Sequence, residues 1–422
     1  MSLVIGIPRA LHYYTFIPLW ERFFYELGMK VVESGPTNKH IVDLGVKTTV
    51  TDACAPIKIF QGHAEALARK ADVVFIPRVV SFEGGYVFCP KFLGLPDMVK
   101  ATVDNLPPVI DTRFDLRRGF AALVRALVRL GTELGSGKAK AFAAAVRAIR
   151  HFRQSGWTAH LRREHGVGAV GSIVEHGVAA SRSSECGVGV SSRSVAQGVA
   201  IRRSDEHGVG ATWSSVEHGI IRRGVHGTEQ DGEKLPVTIA VIGYPYIVHD
   251  PFLSCGMLDI LEKARVRVVT MEDVSTRDIE AQRGALSKQV FWHYSNRALK
   301  AAYHLMKHTE IDGLVHATAF GCGPDAIVDK FLEIDCKDEY GVPFLSLTVD
   351  EHSGQAGIAT RLEAFLDMIL RKKGLSAFQR LGGPGRTDSG LHAGADSRLQ
   401  NGAANGLQDD LKVPVVQGRQ VS

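Results

Sequence analysis

The chain has 422 residues, of which 45% are hydrophobic, and its formal net charge at pH 7 is +5. This length suffices for two ordinary domains, and the composition is typical of a folded, soluble protein rather than a disordered or membrane one. The mild basic excess is spread along the chain and gives no reason to expect nucleic-acid binding. No signal sequence or membrane span is expected, so we expect a cytoplasmic protein, where structural disulfides are rare.

Residues 1–115 alternate between the patterns of strands and helices, which predicts an N-terminal α/β domain with a parallel sheet. A helix is predicted over Thr15–Leu27, and strands are predicted at Leu3–Ile7, Lys30–Ser34 and Asp72–Pro77. Residues 116–154 are rich in alanine and arginine with apolar residues at helical spacing. They predict two helices, which form either a hairpin or a connector between domains.

Residues 155–235 contain a repeated motif, since the stretch Glu164–Ala169 recurs as Glu206–Ala211. The units offer glycine, valine, serine and arginine in place of the large apolar residues that stack in a solenoid. We interpret this tract as a disordered, repeat-expanded insertion. Cys186 lies inside the tract, so we do not count it among the functional cysteines.

The alternating pattern resumes over residues 236–375 and predicts a C-terminal α/β domain, whereas 376–422 has the composition of a disordered tail. Strands and helices are predicted in turn at Val237–Ile242, Leu253–Lys263, Arg265–Thr270, Phe291–Lys307, Ile311–Ala317, Cys322–Leu332, Pro343–Thr348 and Thr360–Lys373. The sequence thus predicts two doubly wound, Rossmann-like parallel-sheet domains with facing crevices.

Three of the six cysteines are followed within two residues by proline: Cys54, Cys89 and Cys322. Proline fixes the local backbone and is tolerated in the first turn of a helix, where the positive end of the dipole stabilises a thiolate. Each of the three also lies near the end of a predicted strand, which for Cys54 is the run Val46–Val50. Loops at the carboxyl ends of strands line the ligand crevice of such folds. We therefore expect the three thiols to converge from both domains.

Three thiolates would leave one iron of a four-iron cluster open, because such clusters usually take four cysteines. Cys255, shortly after the strand Val237–Ile242, is the candidate for a fourth ligand. The absence of a Cys-x-x-Cys pair from the sequence argues against a zinc ribbon or a thioredoxin-type site. The alternative is that each cysteine is a small buried hydrophobe, and the residues alone leave these two interpretations balanced.

Glu351 and His352 follow the strand Pro343–Thr348 and are expected to face the crevice. They are candidates for acid–base catalysis or for hydrogen bonding near a cluster. The alternative is a helix-capping arrangement that involves Asp350 and Ser353.

Three cations lie next to the proposed ligands in sequence: Lys58, Arg78 and Lys91. They are candidates for offsetting the charge of a cluster or for holding a CoA phosphate. The alternative for each is ordinary surface exposure.

Several of these stretches resemble the acyl-CoA dehydratase activase-related proteins, a family related to the cluster-bearing subunits of 2-hydroxyacyl-CoA (2-hydroxyglutaryl-CoA) dehydratases. The resemblance covers about residues 3–115 and 236–372 and rests on the motifs at Ile5–Ala10, Pro36–Lys39, Asp52–Lys58, Pro77–Arg78, Cys89–Asp97, Gly243–Tyr246, Phe320–Asp325, Asp350–Gly354 and Thr360–Phe365.

The resemblance implies a [4Fe-4S] cluster held by Cys54, Cys89 and Cys322. It also implies a partner ATPase of the acetate-kinase/actin type, a second cluster-bearing subunit or a homodimer, and an acyl-CoA substrate. The chain itself has no P-loop motif, so we do not expect it to hydrolyse ATP. Two alternatives stay open: a non-enzymatic electron-transfer or regulatory partner of an activase, and a metal-free α/β binding protein.

Overall fold

The computed structural model describes residues 2–81, 85–155, 237–285 and 290–375. Apart from Ser155, the insertion predicted at 155–235 and the tail predicted at 376–422 lie outside these described residues. All described residues belong to one unit, 1–381. Within it, the elements before and after the insertion form two lobes, which we call the N-lobe and the C-lobe.

The N-lobe is built on a four-stranded parallel sheet with the order β2-β1-β3-β5. Its strands are β1 (Val4–Ile7), β2 (Lys30–Glu33), β3 (Val73–Phe75) and β5 (Val109–Ile110). Two further strands, β4 (Arg78–Ser81) and β6 (Arg113–Asp115), pair in parallel as a separate two-stranded sheet. The strands predicted at Leu3–Ile7, Lys30–Ser34 and Asp72–Pro77 are thereby confirmed, each within a residue or two of its ends.

The described helices of the N-lobe are α1 (Tyr13–Leu27), α2 (Lys39–Thr48), α3 (Ala55–Glu65), α4 (Pro90–Thr102), α5 (Phe120–Glu133) and α6 (Lys138–Ser155). The helix α1 carries large aromatic side chains that are fully buried, among them Phe16, Trp20 and Phe23. The helices α5 and α6 form a hairpin, and α6 packs along α1 through buried alanines such as Ala144 and Ala148. Of the two arrangements left open for these helices, the structure has the hairpin.

The C-lobe repeats this plan with the sheet order β10-β9-β7-β8, all parallel. Its strands are β7 (Thr238–Gly243), β8 (Arg267–Thr270), β9 (Gly313–Ala319) and β10 (Phe344–Val349). Its described helices are α7 (Pro245–Val248), α8 (Met257–Lys263), α9 (Thr276–Ala281), α10 (His293–His308), α11 (Gly323–Asp335) and α12 (Gln355–Lys372). Short 3-10 turns at Leu116–Arg118, Met271–Asp273 and Gln282–Ala285 and a π-helical turn at Cys336–Tyr340 complete the described elements.

In both lobes the first strand lies inside the sheet, with the second strand on one side and the third on the other. The chain therefore changes direction between β1 and β3 in the N-lobe and between β7 and β9 in the C-lobe. Such switch points open a crevice at the carboxyl ends of the strands, because the two connections leave to opposite faces of the sheet. The prediction of two doubly wound parallel sheets is confirmed.

The carboxylate of Asp250 joins the two lobes. It lies in the C-lobe, is 1% exposed, and accepts hydrogen bonds from the hydroxyls of Tyr14 (3.0 Å) and Thr37 (2.5 Å) in the N-lobe. Its other oxygen accepts from the backbone amides of Phe252 and Leu253 at 2.9 and 3.0 Å. A buried carboxylate is costly unless its oxygens are satisfied, so this network fixes the orientation of one lobe on the other.

Within the described residues, no helix is long and apolar enough to span a membrane.

The contact between α2 and α3 depends on two glycines and yields a prediction. A Cβ at Gly62 would lie 1.9 Å from the backbone oxygen of Ile41, and one at Gly45 would lie 1.9 Å from that of Lys58. We expect Gly62→Ala to lower the free energy of unfolding by about 1–3 kcal/mol, because the two helices must separate. Chemical denaturation of the full chain measures this change.

Gly94 in α4 is the matched control, since a Cβ there meets no atom within 4 Å. We expect Gly94→Ala to leave stability unchanged or to raise it by about 0.5–1 kcal/mol, as is usual for an unhindered helical glycine. Equal effects of the two substitutions would contradict the close packing of α2 on α3.

Candidate functional site

One cleft between the lobes is lined by all three proline-flanked cysteines: Cys54, Cys89 and Cys322. Cys54 and Cys89 come from the N-lobe, and Cys322 comes from the loop after β9 at the switch point of the C-lobe. The structure therefore brings together three residues that are far apart in the chain.

Each of the three cysteines is the N-cap residue of a helix: Cys54 of α3, Cys89 of α4 and Cys322 of α11. In all three helices proline occupies the first or second position. Proline lacks an amide hydrogen, but the amides at a helix start have no intrahelical partner in any case. The local sequence thus starts a helix at each cysteine and leaves the sulfur at its positive end.

Cys54 and Cys322 share a more detailed pattern, in which proline follows two residues later and a backbone amide near the sulfur follows at the third helical position. These amides belong to Ile57 and Asp325, and each favours the thiolate form of its cysteine. The two cysteines therefore share a local sequence pattern at their helix starts, one in each lobe.

The loops that carry Cys54 and Cys322 approach each other closely at Gly321. This residue has a φ of +76°, in the left-handed region that glycine tolerates. A Cβ at Gly321 would lie 3.5 Å from the Cα of Cys54. The backbones of the two lobes are thus nearly in contact beside the cysteines.

The prediction of a strand at Val46–Val50 is wrong. Most of this run belongs to α2, which Asn38 caps by accepting a hydrogen bond from the amide of Ile41 at 3.1 Å. Cys54 itself caps the next helix, α3. Cys54 still reaches the crevice, because α3 leads into the parallel strand β3 and must begin at the carboxyl edge of the sheet.

Burial raises the pKa of both Cys54 and Cys322 above the ordinary value of a thiol. At Cys54 the ammonium group of Lys91 and the amide of Ile57 oppose this rise. At Cys322 the carboxylate of Asp325 and the other two cysteines add to it. Both thiols therefore hold their protons at neutral pH, and a metal that binds them must displace those protons.

The donor set is suited to a polynuclear centre. Within the described parts of the chain, no three His, Cys, Asp or Glu side chains converge on a point where a single metal ion would bind. An iron–sulfur cluster makes a different demand, because each thiolate binds a different iron atom and the sulfurs stand around the cluster. Three thiols that line one cleft from separate helices fit that demand.

The rest of the cleft wall is largely aromatic, with contributions from both lobes: Phe88, Phe92, Tyr244, Tyr246, Trp292, His293 and Tyr294. The hydroxyl groups of Tyr244 and Tyr294 are engaged by Ser295 at 2.6 Å and Thr15 at 2.7 Å. No local sequence pattern predicted this wall. The Gly243–Tyr246 motif is the sequence feature that contributes to the wall, but the sequence alone does not connect this motif to the cysteines.

The backbone of His293 is hydrogen-bonded to the loop that carries Cys89. The amide of His293 donates to the carbonyl of Val87 at 2.8 Å, and the amide of Val87 donates to the carbonyl of Phe291 at 3.0 Å. The imidazole lines the cleft and packs on the ring of Phe88, with centroids 4.7 Å apart. Burial lowers the pKa of His293 to about 3, so the ring is neutral.

Lys58 and Glu351, predicted to bind a cofactor and to act in catalysis, form an ion pair with each other. The pair links α3 of the N-lobe to the turn after β10 of the C-lobe. Both side chains are 10% exposed. Although burial raises the pKa of Glu351, the Lys58 ammonium group holds it below its ordinary value. Neither residue lines the cleft.

Arg78 does not line the cleft, because two aspartates nearby bind its guanidinium group. Its guanidinium group donates to Asp97 at 2.5 and 2.6 Å and to Asp111 at 2.6 and 3.2 Å. It also donates to the carbonyl of Leu93 at 3.0 Å. Of the three cations considered, Lys91 is the one that lines the cleft.

The structure does not bring His352 or Cys255 into the cleft lining. His352 is exposed, and its amide donates to Asp350 at 2.8 Å within a turn that Ser353 also stabilises. The thiol of Cys255 is buried and donates to the carbonyl of Ser353 at 3.6 Å. His352 thus belongs to the β10–α12 turn of the C-lobe, and Cys255 packs against that turn.

A buried histidine lies between two aspartates behind Cys322. His316 on β9 is 0% exposed, with Nδ1 2.7 Å from Asp329 and Nε2 3.4 Å from Asp325. Burial lowers the pKa of His316, but the two aspartates outweigh this effect and raise it to about 9. The two aspartates of this triad belong to the first half of α11. No sequence motif predicted the triad.

The pair Lys58–Glu351 yields a prediction about the junction of the lobes. We expect Lys58→Met to lower the free energy of unfolding by about 3–5 kcal/mol, because it leaves the Glu351 carboxylate buried without its cation. The double variant with Glu351→Gln is expected to lose less than the sum of the single variants. The exposed pair Lys39–Asp43 at 3.2 Å is the control, and Lys39→Met is expected to cost less than about 1 kcal/mol. Additive single effects in the double variant would contradict the pairing.

His316 yields a prediction about pH. Its pKa in the folded protein is about 9, above the unfolded value of 6.5, so its contribution to stability is complete below pH 6.5. This contribution is lost as the pH rises through 9. The difference in unfolding free energy between the wild type and His316→Gln should therefore shrink between these two limits. The exposed His352→Gln variant is the control, and a difference for His316→Gln that does not vary with pH would contradict the charged triad.

Comparisons with known proteins agree with the resemblance found in the sequence. The family model for 2-hydroxyglutaryl-CoA dehydratase, D-component, matches residues 226–369, which include Cys322. The model for the CoA enzyme activase uncharacterised domain (DUF2229) matches residues 4–274, which include Cys54 and Cys89. No curated protein matches the chain. Since the second of these models spans more than half of the chain, the protein belongs to the CoA enzyme activase uncharacterised domain family, and its C-lobe is similar to the dehydratase D-component.

Proposed function

We propose that this protein is a [4Fe-4S] protein of the 2-hydroxyacyl-CoA dehydratase type that acts in ATP-dependent, low-potential electron transfer or in radical dehydration. Cys54, Cys89 and Cys322 would hold the cluster. When bound, the cluster would accept and pass on single electrons. The observation that carries the proposal is that three N-cap cysteines from two lobes line one cleft.

The helices behind the cysteines supply a favourable electrostatic environment for thiolates. Three helix N-termini point positive dipole ends at one place, which offsets the negative charge of sulfur ligands. The ammonium group of Lys91 acts in the same sense on Cys54. Burial and, at Cys322, the carboxylate of Asp325 disfavour the thiolates, so these positive ends are what favours an anionic centre at the site.

The aromatic wall of the cleft limits the access of water. Tyr244, Tyr246 and Tyr294 are at most 6% exposed, and their rings contact one another with centroids 5.4 to 5.7 Å apart. A dry surrounding lowers the local dielectric constant and strengthens the electrostatic interactions inside the cleft. The wall therefore protects a reactive centre from solvent.

The family resemblance supports a partner for this reaction. We propose an ATPase of the acetate-kinase/actin type as the electron donor, together with a second cluster-bearing subunit or a second copy of this chain. An acyl-CoA is the proposed substrate. Because Lys58 and Glu351 pair with each other, we assign them to the junction of the lobes. The catalytic role considered for His352 and the cytoplasmic location stay predictions.

The proposed cluster site predicts which cysteine substitutions lower the iron content of the protein. After anaerobic reconstitution with iron and sulfide, we expect the wild type to contain about four of each per chain. We expect Cys54→Ser, Cys89→Ser and Cys322→Ser each to lose most of this iron and its visible absorption, because each removes one thiolate ligand. Chemical analysis of iron and sulfide measures the loss.

Cys336→Ala is the control, since Cys336 is buried beside Met306, away from the cleft lining. It should bind iron like the wild type. A wild-type protein that stays colourless and free of iron would overturn the proposal in favour of a metal-free binding protein. Formation of an enoyl-CoA from a 2-hydroxyacyl-CoA, with an activase, ATP and a reductant present, separates an enzyme from an electron-transfer partner.

A further inference from the structure

The chemistry of the cleft lining determines which further group can bind iron there. Three thiols account for three irons of a four-iron cluster, so one iron takes another ligand. Among the lining residues, the remaining heteroatoms belong to three tyrosines, a lysine, a tryptophan and a histidine: Tyr244, Tyr246, Tyr294, Lys91, Trp292 and His293.

Most of these groups are poor ligands in this setting. The indole of Trp292 only donates hydrogen bonds, and an ammonium group such as that of Lys91 has no lone pair. A tyrosine binds a metal as a phenolate, which burial disfavours. A neutral imidazole binds a metal through its unprotonated nitrogen without losing a proton. His293 therefore differs from the rest of the lining.

The fold also holds the backbone of His293 against the loop that precedes Cys89. Two backbone hydrogen bonds join the segment Phe291–His293 to Val87, two residues before Cys89. These bonds form a parallel bridge between Val87 and Trp292, which holds the first residue of α10 against the loop of the N-lobe. The ring is 3% exposed and lines the same cleft as the three thiols.

We propose that His293 supplies the fourth protein ligand of the cluster, with one imidazole nitrogen donating its lone pair to the iron that the three cysteines leave open. This inference rests on the proposed function. It replaces Cys255 as the candidate for that position, because the Cys255 thiol donates to the carbonyl of Ser353 and lies outside the cleft lining. The site is then a mixed one, with three thiolates and one imidazole.

A direct test detects the histidine nitrogen on the reduced, reconstituted protein. Pulsed electron paramagnetic resonance of the full chain should show a strongly coupled nitrogen, and its signature should change from ¹⁴N to ¹⁵N when histidine is labelled with ¹⁵N. We expect this coupling to be lost in His293→Ala and to return when ¹⁵N-imidazole is added. We expect His293→Cys to keep the cluster and to lower its midpoint potential below that of the wild type, since replacing histidine by thiolate has this direction in other clusters.

His12→Leu is the matched control. His12 is a second buried imidazole on the ring of Phe88, with centroids 5.0 Å apart, but it does not line the cleft. The coupling should persist in this variant. A wild-type cluster without a coupled histidine nitrogen, or a coupling that survives in His293→Ala, would overturn the inference and leave the three-cysteine site intact. Failure of the wild type to bind iron would overturn the proposed function and this inference together.

Discussion

The buried carboxylate of Asp250 is the interaction on which the cleft depends. One of its oxygens accepts from the hydroxyls of Tyr14 and Thr37 in the N-lobe, and the other accepts from backbone amides of its own loop, so both oxygens are satisfied. Burial raises the pKa of Asp250, and only the complete set of donors makes its position tolerable. The cysteines of the two lobes line one cleft because this junction has a single geometry.

Two further contacts reinforce the same geometry around the cleft. The bridge between Val87 and Trp292 joins the lobes on the side of Cys89, and the ion pair of Lys58 with Glu351 joins them at α3. Gly321 brings the backbone of the C-lobe to Cys54. The junction is thus closed at several points around the three sulfurs, and a change at any of these points is expected to alter the cleft.

Much of the fold follows from local patterns. The apolar runs at Val237–Ile242 and Ile311–Ala317 become β7 and β9 because short β-branched runs between turn signals favour buried parallel strands. The positions of Cys89 and Cys322 at helix starts follow equally from their prolines. The run Val46–Val50 was mistaken for a strand, since a short apolar stretch has too few residues to distinguish the two periods.

The composition of the site depends on contacts between distant parts of the chain. No local rule pairs Lys58 with Glu351 or places His293 beside Cys89, because both contacts arise only when the lobes are joined. The sequence therefore identified the sulfurs but not their aromatic surroundings. Among the described lining residues, Lys91 alone carries a charge. Aromatic residues of this kind are also common in protein cores, so they do not mark a functional site in the sequence.

The division of the cysteines between the lobes has a consequence for how the protein matures. During synthesis the N-lobe emerges first and presents Cys54 and Cys89 before β9 and Cys322 have been made. Two thiols are only two of the three proposed cysteine ligands, and contacts between segments so far apart form late in folding. Assembly of the proposed metal centre would therefore wait for the C-lobe to dock. The acquisition of the cofactor would report that the whole polypeptide has folded.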